Sequence, residues 1–244
     1  MFDKSIIRVS EVLLMGRLIA AAIAFACLSV QPLALCAGRV SEEPHFQPAE
    51  AVSVSDVTIP INSIANGTVV LDVMISGEGE AGNVQVRRDI ASETEEAVRA
   101  VKTWKFAPAK FDGKSVRSRV TVAVTFNPPL PAAENIPLPP LIHQGDEARI
   151  QSSFQPPEVT RATFPVCPPY NAVAGSVAVI LEANVNEAGR AQSAKVLRGD
   201  PPFTTNAIQA IEDWRFMPAT LNGRTVESKV VLVFCFRPPV SPEP

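Results

Sequence analysis

The chain has 244 residues, 46% of them hydrophobic, with 22 basic against 25 acidic side chains and a net charge of −3. That balance excludes the electrostatic footprint of a nucleic-acid binder. The 23 prolines gather at 127–140, 156–169 and 238–244, so they mark connectors rather than one disordered chain.

Residues 18–35 are apolar apart from Ser29, Gln31 and Pro32, and Arg17 precedes them. The run lies near the lower limit of the roughly 17–25 residues that span a bilayer. Pro32 breaks a helix just ahead of Ala34-Leu35-Cys36-Ala37. Residues 1–37 therefore read as a secretory signal cleaved near Cys36 or Ala37. Met15 as the start would leave a short basic n-region. The rival is an uncleaved inner-membrane anchor; the short, interrupted run favours cleavage. A lipid-anchor reading of Cys36 meets a bulky Leu35 where a small residue is expected. Either way, the chain beyond about residue 38 is exported. Cys27 and Cys36 belong to the targeting segment, which leaves Cys167 and Cys235. An even pair in an oxidising compartment is expected to form a disulfide; two free, half-buried thiols are the alternative.

A short lead-in, 38–56, precedes a first domain at 57–129. Val69, Leu71, Val73 and Ile75 alternate with Val70, Asp72 and Met74, the period of a strand. Gly77, Gly79 and Gly82 signal a turn, and Val84-Gln85-Val86 begins a second strand. Ser92-Glu93-Thr94-Glu95 fits a capping box. Ala97, Val98, Val101 and Trp104 follow at helical spacing, with Glu95, Glu96, Arg99 and Lys102 opposite. Trp104 closes the helix. Pro108 limits residues 106–109 to a short edge or bulge, because it donates no ladder bond. Asp112-Gly113 is a turn. In the final strand, 116–126, Val116, Val120, Val122, Val124 and Phe126 share one face, with Arg117, Arg119, Thr121, Ala123 and Thr125 on the other.

The plan then returns. Trp104 recurs as Trp214, and the offset of 110 (214 − 104) holds to the Pro-Pro pairs at 128–129 and 238–239. After a stiff Pro-rich spacer, 130–157, a second domain spans 158–240. Gly175 opens a strand at 177–181, 186–189 forms a turn, and Thr204 or Thr205 can cap a helix carrying Ala207, Ile208, Ile211 and Trp214. Asn222-Gly223 is the turn into the last strand, 226–236.

The repeats differ on the face expected to be open. The first has Thr121, Ala123 and Thr125; the second has Val231, Val233 and Cys235, with Ala178 and Ile180 beside them. An apolar second face is usually covered. Its own lead-in, 164–170, would set Cys167 over Cys235; an inter-domain or dimer contact is the alternative cover.

The recurring constellation is Gly67-x-Val69, Gly82-Asn83-Val84, Ala97-x-x-Ala100-Val101-x-x-Trp104-Lys105-Phe106-x-Pro108-Ala109, then Gly113-Lys114 and a strand ending in Phe126. The second copy matches at Gly175, Val177, Gly189, Ala207, Ala210, Ile211, Trp214, Arg215, Phe216, Pro218, Ala219, Gly223, Arg224, Val226 and Phe236. This resembles the C-terminal domain of the TonB energy-transducer family. The resemblance implies an α+β fold: two tandem small β-β-α-β domains, each a helix packed on an antiparallel sheet. It also implies a periplasmic location. There the sheet edge captures an extended segment of an outer-membrane transporter by strand addition, backbone bonds giving affinity and side-chain pockets selectivity. A proton-driven motor of the ExbB–ExbD type would be engaged if the N-terminus stays anchored. The family's membrane helix carries a functional His, whereas His45 and His143 here fall in connectors. Binding therefore transfers better than energy transduction.

The expected partner-binding edges are the final strands: Val116, Ser118, Val120, Val122 and Val124 in the first copy, and Val226, Ser228, Val230, Leu232 and Phe234 in the second. Trp104, Trp214, Phe106, Phe216, Phe126 and Phe236 read as core. The Gly77–Gly82 run lacks the ending of a phosphate-binding loop. With two connector histidines, one tyrosine (Tyr170) and no metal-ligand spacing, the sequence points to no catalytic site, metal or cofactor. A self-associating envelope protein, whose two domains or two chains join edges, is a further reading.

Overall fold

A computed structural model describes residues 45–59, 66–126, 136, 138–142, 153–168 and 176–237. The targeting segment, His143 and Tyr170 lie outside the described residues. The first repeat comprises β1 (Phe46–Gln47), β2 (Glu50–Ser53), β3 (Gly67–Ile75), β4 (Ala81–Arg88), α1 (Thr94–Val101), β5 (Lys105–Ala107), β6 (Ala109–Phe111), β7 (Lys114–Val116) and β8 (Ser118–Phe126). The second comprises β9 (Phe154–Gln155), β10 (Glu158–Arg161), β11 (Val177–Val185), β12 (Ala191–Arg198), α2 (Phe203–Ile211), β13 (Arg215–Met217), β14 (Ala219–Leu221), β15 (Arg224–Val226) and β16 (Ser228–Phe236).

The α+β class holds, and the described residues of the two repeats pack together as one compact unit. The long strands of both copies form one six-stranded sheet, ordered β12-β11-β16-β8-β3-β4. β8 pairs antiparallel with β3 on one side and parallel with β16 on the other. The physical reason lies in the residues. All nine positions of β8 are buried, and eight of nine in β16. A strand buried on both faces belongs in the middle of a sheet.

The register of the central pair does more than join the copies. Val122 is the repeat equivalent of Leu232, yet it faces Val231; Val124 faces Val233 and Phe126 faces Cys235. A one-residue shift reverses which face a side chain takes. The apolar side of β8 thus becomes continuous with the alternate side of β16. One core gathers Ala97, Val101 and Trp104 of the first copy with Val231, Val233, Cys235 and Ile180 of the second. The other gathers Phe203, Ala207, Ile211 and Trp214 with Leu232, Phe234, Phe236, Val70 and Ala123. The two helices therefore lie on opposite faces of one sheet. The apolar face of the second copy is covered by the first copy, not by its own lead-in.

The connectors join the fold. β2 pairs with β5 and β10 with β13, while β1-β6-β7 and β15-β14-β9 form two small sheets that meet at the Phe46 and Phe154 rings, 4.8 Å apart. Each lead-in also reaches the opposite repeat. Ala51 N donates to Glu182 Oε2 at 2.6 Å, and Thr121 Oγ1 donates to Pro157 O at 2.6 Å. Residues 45–56 and the end of the Pro-rich spacer are therefore structural parts of the unit.

Locally, most signals act as read. Trp104 and Trp214 follow their helices and are buried, their indole N–H groups donating to Ser55 O and Thr163 O. Pro108 separates β5 from β6. Asp112-Gly113 (φ 49° and 78°) and Asn222-Gly223 (φ 52° and 80°) take the left-handed pair of a tight hairpin turn. The helix starts differ from those the sequence suggested. α1 begins after Glu93 with no side-chain cap, and α2 after Pro202. Thr94 Oγ1 instead bridges the N–H and carbonyl of Ile90, and Glu93 turns inward to Arg237, Oε1 to Nη2 2.6 Å. Thr204 is buried within the first turn of α2.

Candidate partner-binding edges

The final strands expected to be open are closed. Ser118, Val120, Val122 and Val124 lie in β8, flanked by β3 and β16; Ser228, Val230, Leu232 and Phe234 lie in β16, flanked by β11 and β8. Their backbone groups serve each other, so neither strand can accept an incoming one. Val116 and Val226 sit apart from them, in the outer strands β7 and β15 of the small sheets. The expected disulfide is absent as well: Cys167 is an exposed thiol and Cys235 a buried one. Cys235 lies in the α1-side core, where burial pushes its thiol well above the ordinary range.

The edges of the six-stranded sheet are β4 and β12 instead. An edge presents unpaired N–H and C=O groups and templates further pairing. Along β12, Gln192, Ser193, Lys195, Val196 and Arg198 are exposed, Val196 to 43%. Among the described residues no strand pairs with its outer side. Arg198 forms a surface ion pair with Asp56. Beside this end lies a cavity of about 500 Å³ bordered by Asp56, Ile59, Ser176, Ala178 and Asp200. The matching end of β4 is different. Arg88 is buried, donating to Pro139 O and, at 3.2 Å, to Val159 O, with Glu158 at 3.7 Å. Burial lowers its pKa, partly offset by Glu158.

Two polar clusters mark where the lead-ins cross the sheet. Glu182 is buried, accepts the Ala51 N–H and pairs with Lys229 at 3.3 Å. Burial works against the Lys229 ammonium, but Glu50 and Glu182 outweigh it and raise its pKa. In the other copy Asp72 replaces Glu182 and Arg119 replaces Lys229. The shorter carboxylate contacts Arg87 at 3.6 Å beside a cavity of about 310 Å³, lined also by Gln85, Gln155 and Glu158. Burial holds the Asp72 carboxyl above its usual range, against Arg87 and Arg119. Among the described residues no group of His, Cys, Asp and Glu gathers to hold a metal, and no helix is long and apolar enough to cross a membrane.

The lead-in contribution was legible but missed. Phe46-Gln47-Pro48-Ala49-Glu50 returns as Phe154-Gln155-Pro156-Pro157-Glu158. Its offset is 108 (154 − 46), out of step with the repeat that follows, so a search locked to the tryptophans passes over it.

No curated protein sequence matches the chain. The family model described as the Gram-negative bacterial TonB protein C-terminal matches residues 63–128 and again 172–238, more than half of the chain. Both matches fall on the strand–strand–helix–strand frame of a repeat, and the chain belongs to the TonB C-terminal family, carrying the domain twice.

Proposed function

We propose that this is an exported, periplasmic protein-binding module that captures extended segments of outer-membrane transporters or other envelope proteins by strand addition. The docking strand in this reading is β12. The observation that carries it is the sheet order, which buries both final strands and, among the described residues, leaves β12 at an unpaired edge. Backbone pairing along Ala191–Arg198 supplies affinity, and the side chains flanking the edge supply selectivity. Family membership supports an envelope role in transport coupling. Removal of the leader near Cys36 or Ala37 makes the protein a binder; retention of the apolar run would make it an anchored transducer able to meet an ExbB–ExbD-type motor. N-terminal sequencing of the processed protein separates the two.

The binding test is a titration of isotope-labelled mature protein with N-terminal peptides of outer-membrane transporters. Amide shifts concentrated on Ala191–Arg198 are expected. Their absence there, with saturation elsewhere or no binding, would sink the reading. Shifts that depend on protein concentration without peptide would mark β12 as a homodimer edge.

A further inference from the structure

The two edges of the sheet differ because the chain occupies one of them itself. Residues 138–142, Leu-Pro-Pro-Leu-Ile, reach the C-terminal end of β4. Ile142 N donates to Arg87 O at 2.8 Å, the kind of backbone bond that an added strand makes. Beside it, the Arg88 guanidinium holds the linker through Pro139 O. Leu138 packs on the α2-side core, where Ile136 is buried and donates its N–H to Ala162 O. The prolines suit this place, since they favour an extended backbone and offer no donor that needs a partner.

The equivalent positions of the second repeat show the uncovered state. Arg198 corresponds to Arg88 but is exposed, and Val196 corresponds to Val86 but is open to solvent where Val86 is partly buried. At the lead-in offset of 108, the position matching the linker is 30–34, inside the apolar run that export is expected to remove. After processing, β12 would have no strap of its own.

We propose that residues 138–142 are a built-in occupant of the β4 edge, so that β12 is the docking edge of the six-stranded sheet and β4 admits an incoming extended apolar, proline-containing segment only when the linker is released. This rests on the strand-addition reading for β12, but the occupancy of β4 is tested separately. In the mature protein, the Ile142 amide should exchange with deuterium markedly more slowly than in a free peptide of residues 136–144. Equal exchange would overturn the proposal.

The second arm uses that same synthetic peptide as the probe. It is titrated into wild type, into Ile142→Pro, which removes the donor N–H while keeping an extended backbone, and into a chain with 138–142 replaced by Gly and Ser at equal length. Shifts along Ala81–Arg88 should be weak in wild type and strengthen in the replaced chain by about ten-fold in apparent affinity or more, the factor expected when nine-tenths of the edges are already filled. Ile142→Pro should fall between, and it serves if the replaced chain fails to fold. Equal β4 affinity in all three chains refutes the proposal. Failure of transporter peptides at β12 would remove the binding reading while leaving this outcome readable.

Discussion

Replacing Arg237 by leucine removes one half of an ion pair that ties the two repeats together. Glu93 precedes α1 in the first copy, and Arg237 follows β16 in the second. Their side chains are 0% and 8% exposed and 2.6 Å apart, with the guanidinium also 5.7 Å from the Phe126 ring centre. Among the described residues Glu93 Oε2 has no hydrogen-bond partner even in the intact protein. Arg237→Leu strands that carboxylate in the core, and breaking a buried pair from one side costs about 3–5 kcal/mol. For a unit near this size, each kcal/mol moves Tm by roughly 2–4 °C, so a fall of about 6–20 °C follows. The double variant Glu93→Leu with Arg237→Leu removes both charges and should return to wild-type stability or exceed it by about 1–4 kcal/mol. The second repeat already shows an apolar solution: Phe203 occupies the position matching Glu93 and packs on Phe236 with ring centres 4.9 Å apart. Urea unfolding followed by tryptophan fluorescence reads both copies, since each holds one buried tryptophan. A single-variant loss below about 1 kcal/mol, or a double variant as unstable as the single, would refute the reasoning.

The glycines of the β3–β4 turn and the β6–β7 hairpin should respond unequally. Gly113 (φ +78°) faces open space, so alanine there meets only the left-handed penalty of about 1–2 kcal/mol, whereas an ideal Cβ at Gly79 (φ +87°) falls 1.9 Å from Phe106 O. Gly79→Ala should be the more destabilising in urea melts, and equal losses would contradict the close approach. Asp72 carries a raised pKa in the folded state because of burial, so the native protein holds its proton longer than the unfolded chain. Stability should fall as pH rises from about 4 through the raised value, and Asp72→Asn should remove that component. A wild-type-to-variant stability difference that stays constant between pH 4 and 7 would count against it. In the native protein at neutral pH, a maleimide should modify Cys167 and leave Cys235 intact until unfolding, because the buried thiol is both inaccessible and held protonated. Peptide-resolved mass spectrometry checks this, and a linked Cys167–Cys235 peptide pair two hydrogens light, split again by a thiol reductant, would restore the disulfide.

The features that proved readable are local or periodic. Ala97, Val101 and Trp104 fall on one helical stripe, and Asp112-Gly113 adopts the turn its residue types favour. The helix cap misled for a physical reason. Ser92 to Glu95 contains every atom a capping box needs, but Glu93 gains a buried partner 144 positions away in sequence, which local pattern cannot show. The alternation in 116–126 correctly separated two sets of side chains. It did not reveal that the polar-looking set, Thr121 and Thr125, is buried too, satisfied by Pro157 O and by Thr68.

From the residues alone came the repeat, its α+β elements, their core faces and the family. The sequence also signalled that the Val231–Val233–Cys235 face needs a cover. Tertiary structure alone chose that cover, and with it the location of the open edge. Backbone N–H and C=O groups are the same in every strand, so a sequence marks which strands can be central more clearly than it marks their neighbours. Parallel pairing of β8 with β16, shifted by one residue, buries both apolar faces at once. That choice placed the two expected binding strands inside one six-stranded sheet and left β12 at its end.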